Sequence, residues 1–240
     1  MKNGGLKSTT EKSQNNLIGL RILYQKRNLS KMNMSKNSYQ RIGIYGGTFD
    51  PVHLAHLHFA YEFIEKVCLD ILYIVPAFQS PFKTEGIFHF TQPENRLAML
   101  KLAFGSNKKI KISKYEISKK SISYSYQTIK YFQSKFPKSE LFLLIGSDQA
   151  IEFSKWKEWE FILNSVQLVI AERKGFLKAN DKELINKILT YNDRPPIWLK
   201  AYSHSVSSTE IREMINKNKD CKHLLPANVY EYIKKERLYK

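Results

Sequence analysis

Two histidines three residues apart, His53 and His56, follow a glycine pair in the string Gly46-Gly47-Thr48-Phe49-Asp50-Pro51-Val52-His53-Leu54-Ala55-His56. Phosphate binding is the chemistry these residue types can do. Glycines permit positive φ and a close approach of main chain to ligand. Pro51 suits the first turn of a helix, where free N–H groups and the helix dipole attract anions. At this spacing both imidazoles lie on one helix face. A strand-like Arg41-Ile42-Gly43-Ile44-Tyr45 precedes the string, which predicts strand, phosphate-binding turn, helix.

A second cluster lies far downstream, in Ser207-Ser208-Thr209-Glu210-Ile211-Arg212. Ser207 and Glu210 have capping-box spacing, and Ile211, Met214 and Ile215 form an apolar stripe that leaves Arg212 turned away from it. Its guanidinium and the helix N-terminus can then bind phosphate oxygens together. Other nucleotide chemistries lose support: no GxxxxGK[ST] and no GxGxxG occurs among the ten glycines, and there is no GxSxG nucleophile elbow. With no evident protein nucleophile, direct transfer between two bound substrates is the natural mechanism, resting on positioning and charge neutralisation.

The elements that must position these residues alternate from Arg41 onward, strand then helix, which predicts an α/β fold with a parallel sheet. The first helix has Leu57, Ala60, Tyr61 and Ile64 as its inward stripe. Asp70 to Ala77 reads as a strand, and Thr91-Gln92-Pro93-Glu94 as a capping box opening a helix through Leu97, Leu100 and Phe104. Lys109 to Ser113 is a short strand, and Tyr124 to Phe136 a helix with Ile129, Phe132 and Phe136 inward. Leu141-Phe142-Leu143-Leu144-Ile145 is apolar throughout, as in a central parallel strand covered on both faces. Gln167 to Ala171 and Ile197 to Ala201 read as further strands, and helices follow Ser207 and Pro226. Right-handed crossovers put every strand's C-terminus on one edge, so Gly46 to His56, Pro76 to Lys83 and Gly146-Ser147-Asp148 converge on one cleft.

At 240 residues and 42% hydrophobic, the chain can bury a full core. Cys68 and Cys221 stand in no ligand or disulfide spacing, and no apolar run is long enough to span a bilayer. A reducing, cytoplasmic setting is expected, with no membrane partner. The net charge of +17 invites a nucleic-acid reading, yet residues 1 to 41 alone hold nine Lys or Arg against one acid. The remaining positive charge is spread over polar helix faces, so no nucleic-acid partner is expected. Residues 1–38, rich in Lys, Ser and Asn, are read as a basic disordered extension, and 39–240 as a single domain. Basic and serine-containing, the extension could pass for a transit peptide; Met32 and Met34 favour an over-extended gene start.

The string Gly46 to His56 resembles the GGTFDPVHxGH signature of the HxGH nucleotidyltransferase superfamily, with Ala55 where the family has Gly, and Ser207 to Arg212 resembles its SSTxIR motif. From about Arg41 onward the chain is similar to bacterial nicotinate mononucleotide adenylyltransferases. The resemblance implies a Rossmann-like doubly wound parallel sheet with helices on both faces and a small C-terminal helical portion. It implies an enzyme of NAD biosynthesis that joins ATP to nicotinate mononucleotide, giving deamido-NAD⁺ and pyrophosphate by in-line attack on the α-phosphorus.

His53, His56 and Arg212 would be catalytic. Gly46, Gly47, Thr48, Phe49, Ser207, Ser208, Thr209 and Asp148 would bind ATP. Ser123-Tyr124-Ser125 resembles the family's SYT segment, Phe153-Ser154-Lys155-Trp156 the segment that supplies a stacking aromatic, and Gly146-Ser147-Asp148 its GxD segment. Tyr124, Ser125, Trp156 and Asp148 would thus bind the mononucleotide. Lys83 stands in a PPHK-like loop with Phe82 for His, and Arg173 in an RRPG-like turn without its proline; both would bind the mononucleotide as well. Mg²⁺ is implied with ATP, held by the phosphates, with no protein metal site. A homo-oligomer is left open. The same ATP site could serve nicotinamide mononucleotide or phosphopantetheine, and the rival from another class is a basic nucleic-acid-binding module.

Overall fold

Apolar runs bounded by turns form six strands: β1 (Arg41–Gly47), β2 (Ile71–Pro76), β3 (Ile110–Ile112), β4 (Glu140–Gly146), β5 (Gln167–Ala171) and β6 (Ile197–Leu199). The structure is a computed structural model that describes residues 40–81, 91–172, 175, 177–178, 180–190, 194–202 and 206–240. All six strands pair in parallel in the order β3-β2-β1-β4-β5-β6. The order reverses between β1 and β4, which is where an open α/β sheet leaves a crevice for ligands.

Alternation along each strand sends side chains to opposite faces, and each face carries its own core. On one, Leu72, Ile74, Phe142, Leu144 and Val169 pack with α1 (Leu54–Lys66), α2 (Pro93–Phe104) and the C-terminal helices α8 (Ser208–Asn216) and α9 (Ala227–Lys235). On the other, Ile42, Ile44, Val75, Leu143 and Ile170 pack with α4 (Ser125–Lys135), α6 (Trp159–Ser165) and α7 (Asp181–Leu189). Short helices α3 (Tyr115–Lys119) and α5 (Ser147–Ile151) complete the described α-helices. The doubly wound sheet with a small helical C-terminal portion is therefore as expected.

Several local expectations are corrected. Pro51 lies outside the first helix: α1 begins at Leu54 with His53 as its N-cap, because the His53 N–H is taken by His56 Nδ1 at 3.2 Å. The buried stripe of α1 is Ala55, Phe59, Ala60, Phe63 and Ile64, whereas Tyr61 is exposed. The helix touches the sheet one position away from the face its sequence spacing suggested, since small Ala55 and large Phe59 and Phe63 fit there. Gln92, not Thr91, caps α2, so the expected box does not form; the Thr91 N–H goes instead to Asp50 Oδ2 at 3.1 Å. Helices α3, α5, α6 and α7 were not anticipated as elements.

Candidate active site

The strand ends β1, β4 and β5 form the floor of a cavity of about 830 Å³ at the reversal point of the sheet. Gly46 faces it: a Cβ built there would meet nothing within 4 Å, so the missing side chain leaves open space for a ligand. At Gly47 a Cβ would approach the Phe49 ring to 3.0 Å. That residue is glycine so that Phe49 can fold back over it. The expected positive φ falls on Phe49 (51°) rather than on either glycine, and Phe49 is buried. Its ring meets His56 edge-on at 4.9 Å and Tyr45 at 5.3 Å.

His53 and His56 both line the cavity, with rings stacked 3.7 Å apart. Because His56 Nδ1 accepts the His53 main-chain N–H, its neutral ring carries the proton on Nε2. Ser207 Oγ caps α8 by accepting the Glu210 N–H at 3.1 Å, and Ser208 Oγ donates to Pro51 O at 2.9 Å. The second motif is thereby fastened to the first across 157 positions. Thr48, Ser207, Ser208 and Thr209 line the cavity, while Arg212 does not stand among its described lining residues. The Arg212 guanidinium donates to Asp50 O at 2.7 Å and to Thr209 Oγ1 at 3.2 Å.

Behind the loop sits a buried charge network that sequence spacing gave no signal for. Arg96, on α2, is 1% exposed and donates to four carbonyls: Ala77 O at 2.6 Å, Thr48 O at 2.9 Å, Thr91 O at 3.2 Å and Phe78 O at 3.4 Å. Burial lowers its pKa, and the neighbouring Asp50 opposes that shift. A buried guanidinium satisfied by carbonyls fixes three segments at once, namely the loop after β1, the loop after β2 and the start of α2.

Ser80, Pro81, Ser123, Tyr124, Ser125, Asp148 and Trp156 also line the cavity. Tyr124 caps α4 with extended backbone, so the helix N-terminus opens beside Ser125. The Ser123 hydroxyl accepts the Phe78 N–H at 3.0 Å. Glu116, on α3, is buried beneath this turn and accepts the Thr128 hydroxyl; burial raises its pKa, which hydrogen bonds from Thr128 and Ser123 partly offset. Trp156 is half-buried, tilted against Phe153 with centroids 5.0 Å apart, and Trp159 is not among the described lining residues. Lys155 and Lys157 line the wall as well. Lys83 and Arg173 lie outside the described residues. Glu116 and Arg96 were missed because their burial is tertiary; Glu116, seven residues before Ser123, carries no spacing signal of its own.

A cavity lined by a stacked imidazole pair, a helix N-terminus and an indole suits two-substrate nucleotide chemistry. The cytidylyltransferase-like family model matches residues 44–214, spanning both motifs. A probable nicotinate-nucleotide adenylyltransferase of Clostridium tetani is 36% identical over 204 residues, covering 82% of this chain and 98% of the relative. One from Clostridium beijerinckii is 37% identical over 208 residues, covering 84% of this chain and all of the relative. In fold, the chain is similar to the Plasmodium falciparum nicotinic acid mononucleotide adenylyltransferase complexed with NaAD, with a TM-score of 0.67, 23% identity, and coverage of 84% of this chain and 98% of that one. The chain belongs to the cytidylyltransferase-like family and, within it, to the nicotinate-nucleotide adenylyltransferases.

Proposed function

We propose that this enzyme transfers AMP from ATP to nicotinate mononucleotide, giving deamido-NAD⁺ and pyrophosphate in NAD biosynthesis. The observation that carries this reading is the single cavity wall shared by His53, His56, Ser207 to Thr209, Tyr124, Ser125 and Trp156. A phosphate oxygen of the mononucleotide attacks the ATP α-phosphorus in line. The bond from that phosphorus to the bridging oxygen breaks, and pyrophosphate leaves with the electron pair. No covalent enzyme intermediate is needed, so the residues act by orientation and charge.

His53 and His56 donate to the phosphates as charge develops, with the His56 proton held at Nε2 by the main-chain bond to Nδ1. The N-terminus of α8 faces the triphosphate, and Arg212 both holds the Asp50 carbonyl and adds positive charge beside it. Tyr124 and Ser125 offer the α4 N-terminus to the pyridine carboxylate, Trp156 offers a flat face to the ring, and Asp148 accepts ribose hydroxyls. Lys83 and Arg173 belong to the mononucleotide side of the same proposal. Mg²⁺ is part of the proposal as an ion that enters with ATP and would be held mainly by its phosphates. A cytoplasmic setting is part of the proposal.

Pyrophosphate release measured across nicotinate mononucleotide, nicotinamide mononucleotide and phosphopantetheine tests the acceptor, and the acid nucleotide is expected to give the highest kcat/KM. An amide preference would overturn it. His53→Ala is expected to lower kcat by about 10² to 10³, and near-normal turnover by that variant would remove the histidine role.

A further inference from the structure

Asp50 lies at the centre of the loop that carries the nucleotide-binding residues, and it is 1% exposed. Its main-chain carbonyl is held by Arg212 and its Oδ2 by the Thr91 N–H. Oδ1 accepts the hydroxyl of Tyr239 at 2.6 Å, from 189 positions away. Tyr239 reaches that oxygen with φ at 65°, a left-handed backbone that non-glycine residues adopt only at a cost. Its ring packs against the core shared with α1 and α9. Burial and the adjacent Asp50 push its pKa far above the usual tyrosine range, so the hydroxyl remains a donor.

Nothing in the transfer chemistry uses this tyrosine directly. What it touches is the one side chain of the Thr48–His53 loop that is both buried and acidic. Without the hydroxyl, Asp50 keeps the Thr91 N–H and the nearby Arg96 but loses a short hydrogen bond in a low-dielectric site, where such bonds are strongest. Main chain between Phe49 and His53 then has freedom to shift, and a shift of about 1 Å in positioned groups is enough to slow transfer strongly.

We propose that Tyr239 is a positioning residue for the ATP half of the cavity, acting through Asp50 on the loop that bears Thr48, Phe49 and His53. The inference rests on the reading that this cavity binds ATP. Tyr239→Phe, which keeps the ring, is expected to lower kcat/KM for ATP by about tenfold, the worth of a hydrogen bond to a charged group. The KM for the mononucleotide should stay within about twofold, because Tyr124, Ser125 and Trp156 belong to other segments. In a double-mutant cycle, Asp50→Ala with Tyr239→Phe should be no worse than Asp50→Ala alone, because alanine leaves the hydroxyl no partner at this position. Tyr239→Phe with kcat and KM for ATP within twofold of wild type overturns the proposal, whether or not Tm falls, and so do additive effects in the cycle. If Asp50→Ala fails to fold, Tyr239→Phe alone decides. Calorimetric titration of wild type with MgATP separates the two readings: no binding overturns the ATP site and this role with it, whereas normal wild-type binding with an unaffected Tyr239→Phe overturns only the role of the tyrosine.

Discussion

Glu116 has its carboxyl group buried under the turn that opens α4, so burial destabilises its ionised form more than the hydroxyls of Thr128 and Ser123 stabilise it. The folded-state pKa is therefore raised above that of the unfolded chain. For a group raised in this way, the stabilising contribution is fully present below the unfolded value, about 4.3 for Glu, and is lost as pH rises through the folded value. Glu116→Gln keeps an oxygen for Thr128 and removes the titration. Its Tm relative to wild type is accordingly expected to improve as pH rises above about 4, the unfolded value. Thermal melts across that range check it, and a Tm difference that stays flat would show that Glu116 does not titrate between the folded and unfolded states. Glu116 is a buried acid that also lines the cavity, whereas Asp50 and Arg96, buried as well, hold the loop after β1 from behind.

Of the three glycines of β1, Gly43 and Gly46 have opposite duties. A Cβ on Gly43 would meet Leu69 Cδ1 at 2.4 Å, Leu72 Cδ1 at 2.9 Å and Phe63 Cε1 at 2.9 Å, so β1 is glycine there to let α1 and β2 close on it. Gly46 has open cavity in the same position. Gly43→Ala is expected to cost about 1–3 kcal/mol of stability through overpacking, read as a lower Tm, with ATP affinity unchanged in the folded protein. Gly46→Val should leave Tm nearly unchanged and weaken ATP binding, because its branches occupy ligand space. Matching losses of Tm in both variants would contradict this division.

The same contrast explains what was legible in the sequence. Strand β5 falls at Gln167–Ala171 as its composition suggested, and the apolar run of β4 and the Ser207 cap were readable because the signal is local. The two motifs and the edge of the sheet that unites them followed from order along the chain and crossover handedness. The inward face of α1 did not: Tyr61 fits the spacing but is exposed, because the shape of the opposing sheet selected Phe59 and Phe63 instead. Arg96 carries no signal in its spacing, and only the fold reveals four carbonyls converging on it. Positive φ at Phe49 was assigned to the glycines beside it, since glycine adopts it without penalty; burial of the Phe49 ring outweighs that local preference.

For the molecule as a whole, the question is what its +17 charge does. Every described residue lining the cavity lies between Tyr45 and Glu210, and no helix among the described residues is long and apolar enough to cross a membrane. Residues 1–38 hold eight Lys or Arg and one acid, a density far above that of the remaining chain. A polyanion would find its strongest attraction there, with an affinity that falls steeply with salt as counterions are released. Under the proposed function, anion binding comes instead from helix termini and Arg212, which act over short distances and are little affected by charge beyond about 10 Å at ordinary ionic strength. Deleting residues 1–38 is therefore expected to leave kcat/KM for both substrates within about twofold while lowering the salt needed to elute the protein from a heparin column. Loss of turnover on deletion would make the segment part of the working enzyme. Salt-dependent RNA or DNA binding that persists undiminished in residues 39–240 would place the basic surface on the folded domain and favour a nucleic-acid role beside the transferase.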